Sequence, residues 1–128
     1  MPGRVLLDTN VVIAFFSREK AVFQRVLDHE ICLPITVLGE LHNGARKSAH
    51  GEANAERIDE FAAAVPVFSC DADTAKHYGR IKDQLRSKGR PIPENDIWIA
   101  ALAAQHGLPL ATRDEHFAQI EGLRVEKW

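Results

Sequence analysis

Residues 4–8 read RVLLD, a short apolar run closed by an acid. Apolar residues in succession, without alternation, are the pattern of a strand covered on both faces, as in a parallel sheet. The residues beyond it decide whether such a sheet exists. Asn10–Phe16 (NVVIAFF) suits a strand or a helix by composition, and we read it as a short helix under a Thr9 or Asn10 cap. The segment 19–29 then places Val22, Phe23, Val26 and Leu27 at helical spacing. Residues 31–33 form a second strand ahead of Pro34. Helices follow over 36–49, closed by Gly51, and over 52–64, ended by Pro66. Residues 67–69 are a third strand. Asp71 caps a helix running to Lys88 and closed by Gly89, and the stiff connector 91–93 leads into a helix over 95–106, stopped by Gly107 and Pro109. His106, at the end of that helix, suits its C-terminal dipole. Residues 108–112 make a fourth strand and 123–125 a short fifth. Strands separated by one or two helices imply right-handed crossovers. The expectation is a three-layer α/β/α domain over residues 1–128, with a central parallel sheet of four or five strands.

A chain of 128 residues suits one domain, and 45% apolar with 27% charged residues argues against disorder. The longest uncharged apolar run, Val11–Phe16, is far too short to cross a bilayer, and nothing after Met1 reads as a leader. A cytoplasmic protein without a membrane partner is expected. Cys32 and Cys70 have no cysteine near them and read as buried free thiols. The six histidines include no H-x-x-x-H pair, which argues against a zinc site. The net charge of −2, taken alone, argues against a nucleic-acid binder, which is usually basic.

In an open parallel sheet, ligands bind at the carboxyl ends of the strands, where the strand order reverses. Four acids fall at such places. Asp8 closes the first strand, Asp114 follows the fourth in Thr112-Arg113-Asp114, and Asp96 sits in the first turn of its helix. Glu40 borders the apolar helical face of Val37 and Leu41. Singly each has an ordinary reading: a strand-end turn, a helix cap or first-turn acid, a solvated edge. Together in one cleft they would repel, and either raised pKa values or a divalent cation relieves that repulsion. An oxygen-only donor set selects hard ions, so Mg²⁺ is expected, with Mn²⁺ as a substitute. Such a cluster suits phosphodiester hydrolysis, where the metal activates a water and offsets phosphate charge.

The segments LLDTNVVI, ITVLGELHNGA and PENDIWIAALAAQHGLPLATRDEHF together resemble PIN-domain proteins, and within them the VapC toxins of VapBC toxin–antitoxin modules. Each motif is loose; their order and spacing are specific, and the likeness runs from about Val5 to Phe117. The family's acidic quartet falls on Asp8, Glu40, Asp96 and Asp114, with none missing. The resemblance implies a Mg²⁺-dependent endoribonuclease that cuts tRNA or ribosomal RNA and so arrests translation. It also implies a homodimer and a cognate VapB-type antitoxin. Metal binding carries over to the four acids, with Glu40 acting through a metal-bound water or handling its proton, and Asn10 and Thr112 as supporting hydrogen-bonding groups.

Six bases lie between Lys76 and Arg90, against the single acid Asp83. They read either as a solvated helix face or as a phosphate track through Arg80, Lys82 and Arg86. Arg46, Lys47 and Arg113 are further RNA-binding candidates. With aromatic residues at only 7%, recognition of RNA shape and backbone is expected in place of base readout. Two other readings compete: a non-catalytic RNA- or protein-binding module, and a phosphoaspartyl phosphatase. The latter normally needs a second Asp two positions after the first, where this chain has Asn10. With the quartet assigned to a metal, the remaining charge of the chain is positive, so RNA binding is expected to depend on that metal.

Overall fold

Val5, Leu6 and Leu7 are all fully buried, although successive side chains of a strand point to opposite faces. Both faces of the sheet are therefore covered. The structure is a computed structural model that describes residues 3–128; Met1 and Pro2, at the head of the stretch read against a leader, lie outside it. Five strands, β1 (Arg4–Leu7), β2 (Glu30–Pro34), β3 (Val67–Phe68), β4 (Leu110–Thr112) and β5 (Val125–Lys127), pair in the order β3-β2-β1-β4-β5, every pair parallel. Six helices flank them: α1 (Thr9–Phe16), α2 (Lys20–Leu27), α3 (Ile35–Arg46), α4 (Gly51–Ala64), α5 (Ala72–Ser87) and α6 (Glu94–His106). A single 3₁₀ turn, Glu115–Gln119, joins β4 to β5.

The chain winds outward from β1 through β2 to β3, then returns to β4 on the other side of β1. The strand order thus reverses between β1 and β4, and their carboxyl ends flank a crevice. The register holds them level, Leu6 opposite Leu110 and Leu7 opposite Ala111, so Asp8 and Thr112 leave the sheet side by side. The central part of α6, from Ile97 to Ala103, is buried at every position except Trp98. That run of small and branched residues lets the helix lie close against its neighbours.

Several boundaries differ from the sequence reading, each for a local reason. The cap of α1 is Asp8, not Thr9 or Asn10: its backbone is extended and its side chain accepts a hydrogen bond from the Thr9 N–H. β4 begins at Leu110, because Pro109 has no N–H for the ladder, although its carbonyl accepts from Leu6 N. β5 starts at Val125, since Leu123 packs against the core and pairing begins at Leu110–Val125. Cys70 is exposed rather than buried: it lies beyond the two residues of β3, and only Cys32 is covered. At Gly107 the prediction stands, with φ +63° closing α6 in the left-handed conformation.

Gly51 does not close the preceding helix. α3 stops at Arg46, and Gly51 opens α4, where a Cβ would stand 2.7 Å from the Ala45 carbonyl oxygen. The missing side chain lets the two helices meet at a tight corner. Gly51→Ala is expected to destabilise the fold by about 1–3 kcal/mol, the usual cost of forcing atoms into a filled space. Urea denaturation measures this, and an unchanged midpoint would mean that the corner relaxes freely.

Candidate active site

Asp8 sits at the carboxyl end of the central strand and is only 4% exposed. Its Oδ1 accepts from Thr9 N at 2.8 Å and its Oδ2 from the Thr112 hydroxyl at 2.6 Å. Thr112 Oγ1 in turn accepts from Asp114 N at 3.0 Å. One buried hydroxyl therefore links the ends of β1 and β4 and sets the direction of the loop carrying Asp114. Burial pushes the Asp8 carboxyl above its ordinary value of 3.8. The two hydrogen bonds oppose that shift, and repulsion from Asp96 and Glu40 adds to it.

Asp96 lies in the first turn of α6, where the helix N-terminus favours negative charge. Burial also raises its pKa; contact with His116 lowers it, and the charge of Asp114 raises it again. Glu40 projects from α3 and accepts from the Asn95 side-chain amide through Oε1, a contact that ties α3 to the start of α6. The four acids are thereby gathered at the switch point. Asp8 lies deepest, and Asp114 stands at the mouth with its side chain 39% exposed.

Asn10 and Arg113 hold the rim. Asn10 Oδ1 accepts from Arg113 N at 3.2 Å, joining α1 to the loop after β4. The Arg113 guanidinium makes a two-pronged contact with Glu19, at 2.7 and 3.2 Å, and donates to the Trp128 carbonyl at 2.8 Å. Among the basic candidates, Lys82 is paired with Glu94 and Arg86 with Asp83. Arg46, Lys47 and Arg80 are exposed and carry no ion pair among the described residues. Exposed pairs such as those of Lys82 and Arg86 are weak, so an incoming phosphate can compete for either side chain.

His116 was not singled out by its spacing, and it lies inside the cluster. Its Nδ1 is 2.8 Å from Asp114 Oδ1, and its Nε2 contacts Asp96 Oδ2. The expected oxygen-only set therefore has a nitrogen in its midst. The sequence signal was the DEH triplet, with His116 two residues after Asp114; only the 3₁₀ turn brings the ring back over the cleft. Ligand atoms from Asp96, Asp114 and His116 all lie within 4.8 Å of one another, a spacing that could hold a metal ion. The donor chemistry fits a divalent cation: carboxylates whose burial disfavours charge gain a counter-charge when one binds. Thr9 Oγ1, buried without a protein partner, lines a crevice of about 320 Å³ that ends on Glu40.

A carboxylate cluster at the switch point of a parallel α/β sheet is an arrangement that can hold a divalent ion and support phosphodiester cleavage. The PIN-domain family model matches residues 5–123. Ribonuclease VapC2 of Haemophilus influenzae is 33% identical over 129 residues, covering 98% of both chains. The tRNA(fMet)-specific endonuclease VapC of Shigella flexneri is likewise 33% identical, with the same coverage. Among solved structures, the DNA-bound VapBC complex of Salmonella typhimurium superposes with a TM-score of 0.91 at 30% identity, covering 100% of this chain and 99% of that one. The chain belongs to the PIN-domain family, among the VapC ribonucleases.

The raised pKa of Asp8 has a consequence for stability. The folded chain holds the Asp8 proton more tightly than the unfolded chain, so stability falls as pH rises from about 4 through the folded-state value. Asp8→Asn removes this charge. In EDTA the variant is expected to melt at a higher temperature than the parent at pH 7, with the gap closing below pH 4. Thermal melts across pH 4–8 test this, and a variant that is less stable throughout would show that the hydrogen bonds outweigh burial.

Proposed function

We propose that the chain is a metal-dependent endoribonuclease, the toxin of a type II toxin–antitoxin pair, which hydrolyses phosphodiester bonds of tRNA or ribosomal RNA and so blocks translation. One observation carries the reading: the buried Asp8 and the half-buried Asp96, Asp114 and Glu40 converge on the switch point in a chain 33% identical to named VapC ribonucleases. We read residues 1–128 as one catalytic unit.

Asp8, Asp96 and Asp114 would hold the ion, with Glu40 completing its surroundings, and Mg²⁺ is the hard cation that this carboxylate set favours, Mn²⁺ replacing it. A bound divalent ion supplies the positive charge that acidifies the attacking water and lets phosphate approach a carboxylate-lined cleft. Asn95 occupies Glu40 Oε1, leaving Oε2 free to take the proton of that water. Thr112 aims Asp8 and favours its ionised form by donating to it, and Asn10 holds the loop bearing Asp114. Arg46 and Lys47 are free to contact the RNA backbone, joined by Lys82 and Arg86 as their surface pairs exchange, whereas Arg80 lies with Gly107 and Leu108 at the amino end of β4, away from the cleft. Arg113 is committed to Glu19 and Trp128, and its role is to brace the rim.

Partner binding has its own surface. A groove of about 1230 Å³ runs between α1, α2 and α4, lined by Phe15, Phe16, Phe23 and Phe61 and flanked by Arg18, Lys20 and Arg57. Phe23 and Leu27 of α2 are exposed, an unusual placement for large apolar side chains. Three-dimensional relatives of this chain were solved as VapBC complexes. A VapB-type antitoxin presenting apolar side chains and flanking acids fits the groove. Phe23→Glu is expected to weaken that complex by tenfold or more, on the order of 1.4 kcal/mol, and to leave RNA cleavage by the free chain unchanged.

Labelled tRNA incubated with the chain and Mg²⁺ should be cut. EDTA should stop the reaction, and Asp8→Ala or Asp96→Ala should slow it by at least ~100-fold, since the ion contributes several kcal/mol to the transition state. RNA left intact while a phosphomonoester is hydrolysed would sink the nuclease reading.

A further inference from the structure

The 3₁₀ turn Glu115–Gln119 packs Phe117 into the core with no residual exposure, and this anchor fixes His116 over the cleft. Both ring nitrogens of His116 face carboxylates, Nδ1 towards Asp114 at 2.8 Å and Nε2 towards Asp96. A neutral imidazole has one N–H and one lone pair, so it can donate to only one of these acids. The other nitrogen then presents a lone pair to a carboxylate oxygen, and two acceptors in contact repel unless a cation lies between them. Nε2 meets Asp96 Oδ2 as a hydrogen bond, whereas Nδ1, although 2.8 Å from Asp114 Oδ1, makes no hydrogen bond with it. That leaves Nδ1 and Asp114 as the acceptor pair.

We propose that His116 is a ligand of the catalytic metal, binding through Nδ1 alongside the Asp114 carboxylate while Asp96 holds Nε2–H. The arrangement matches the general habit of metal-binding histidines, whose second ring nitrogen donates to a carboxylate that fixes tautomer and orientation. The inference rests on the metal-dependent reading of the site and adds a specificity to it. A carboxylate-only shell suits Mg²⁺; an imidazole in the shell shifts preference towards first-row transition ions, which bind nitrogen far better than Mg²⁺ does. His116 thus makes Mn²⁺ the better occupant at equal concentration. An imidazolium bridging both acids without any ion at that nitrogen is the arrangement the experiment has to exclude.

The test loads the intact chain with Mn²⁺ and records pulsed EPR, in which a directly bound nitrogen modulates the electron-spin echo. The wild-type chain should show nitrogen modulation, and His116→Gln should lose it while still binding Mn²⁺ about tenfold or more weakly. Competition titrations should show Mg²⁺ affinity falling by less than ~3-fold in the same variant, so the Mn²⁺-over-Mg²⁺ preference collapses. Mn²⁺ bound by the wild type without nitrogen modulation overturns the inference and leaves the nuclease reading intact. Modulation that persists in His116→Gln also overturns it, by assigning the nitrogen to another histidine. Failure of the wild type to bind Mn²⁺, or equal binding by Asp96→Asn, instead removes the proposed metal centre itself, and the inference with it. A second variant, His116→Asn, carries the same assignment if His116→Gln does not fold.

Discussion

The burial of the Asp8 carboxylate at the end of the middle strand is the constraint around which the surrounding structure is arranged. A carboxylate with almost no solvent contact is expensive to ionise, and its neighbours Asp96 and Glu40 make matters worse. What makes the position tolerable is local. The Thr9 amide and the Thr112 hydroxyl each supply a hydrogen bond, and the start of α1 adds its own partial positive charge. Thr112 can do this only because β4 pairs with β1 in a register that sets Asp8 and Thr112 side by side. The strand pairing, the helix cap and the Thr112 hydroxyl together give a single buried acid its partners, and the same hydroxyl aims the Asp114 loop.

The same economy explains why the rim is built of clasps rather than of free charges. Arg113 is adjacent in sequence to the cleft acid Asp114, yet its guanidinium reaches the opposite way, to Glu19 and the Trp128 carbonyl. It thereby joins the loop after β4 to the lead-in of α2 and to the last residue. Asn10 ties the backbone of the same residue to α1. A cleft of like charges has every tendency to spring open, and these contacts hold its edges from outside, where they cost the site no electrostatic field.

Much of this was legible in the residues. The apolar run ending in Asp8, the helical spacing of Val22 and Val26, and the Gly107 stop each reflect chemistry within one turn or one strand, where sequence neighbours are also spatial neighbours. The misreadings have the same root. Gly51 looks like a helix terminator, and its real reason is the Ala45 carbonyl against which α4 begins. Cys70 follows an apolar pair and was expected to be buried, but β3 ends two residues earlier. Lys82 and Arg86 read as a basic run because the partners Glu94 and Asp83 face them across a helix pair and along a helix turn, relations that a charge count does not distinguish.

By itself the sequence determined the alternation of strands and helices, the parallel sheet and four candidate acids, three of them at element ends. Periodicity and end signals are one-dimensional properties, and they survive without knowledge of any long-range contact. Only the tertiary structure decided which acids meet, that a hydroxyl 104 residues away from Asp8 donates to it, and that His116 lies between Asp96 and Asp114. The physical reason is strand order. Reversal of the winding between β1 and β4 sets the two ends of the chain beside each other, and that choice among topologies is made by the packing of the whole core.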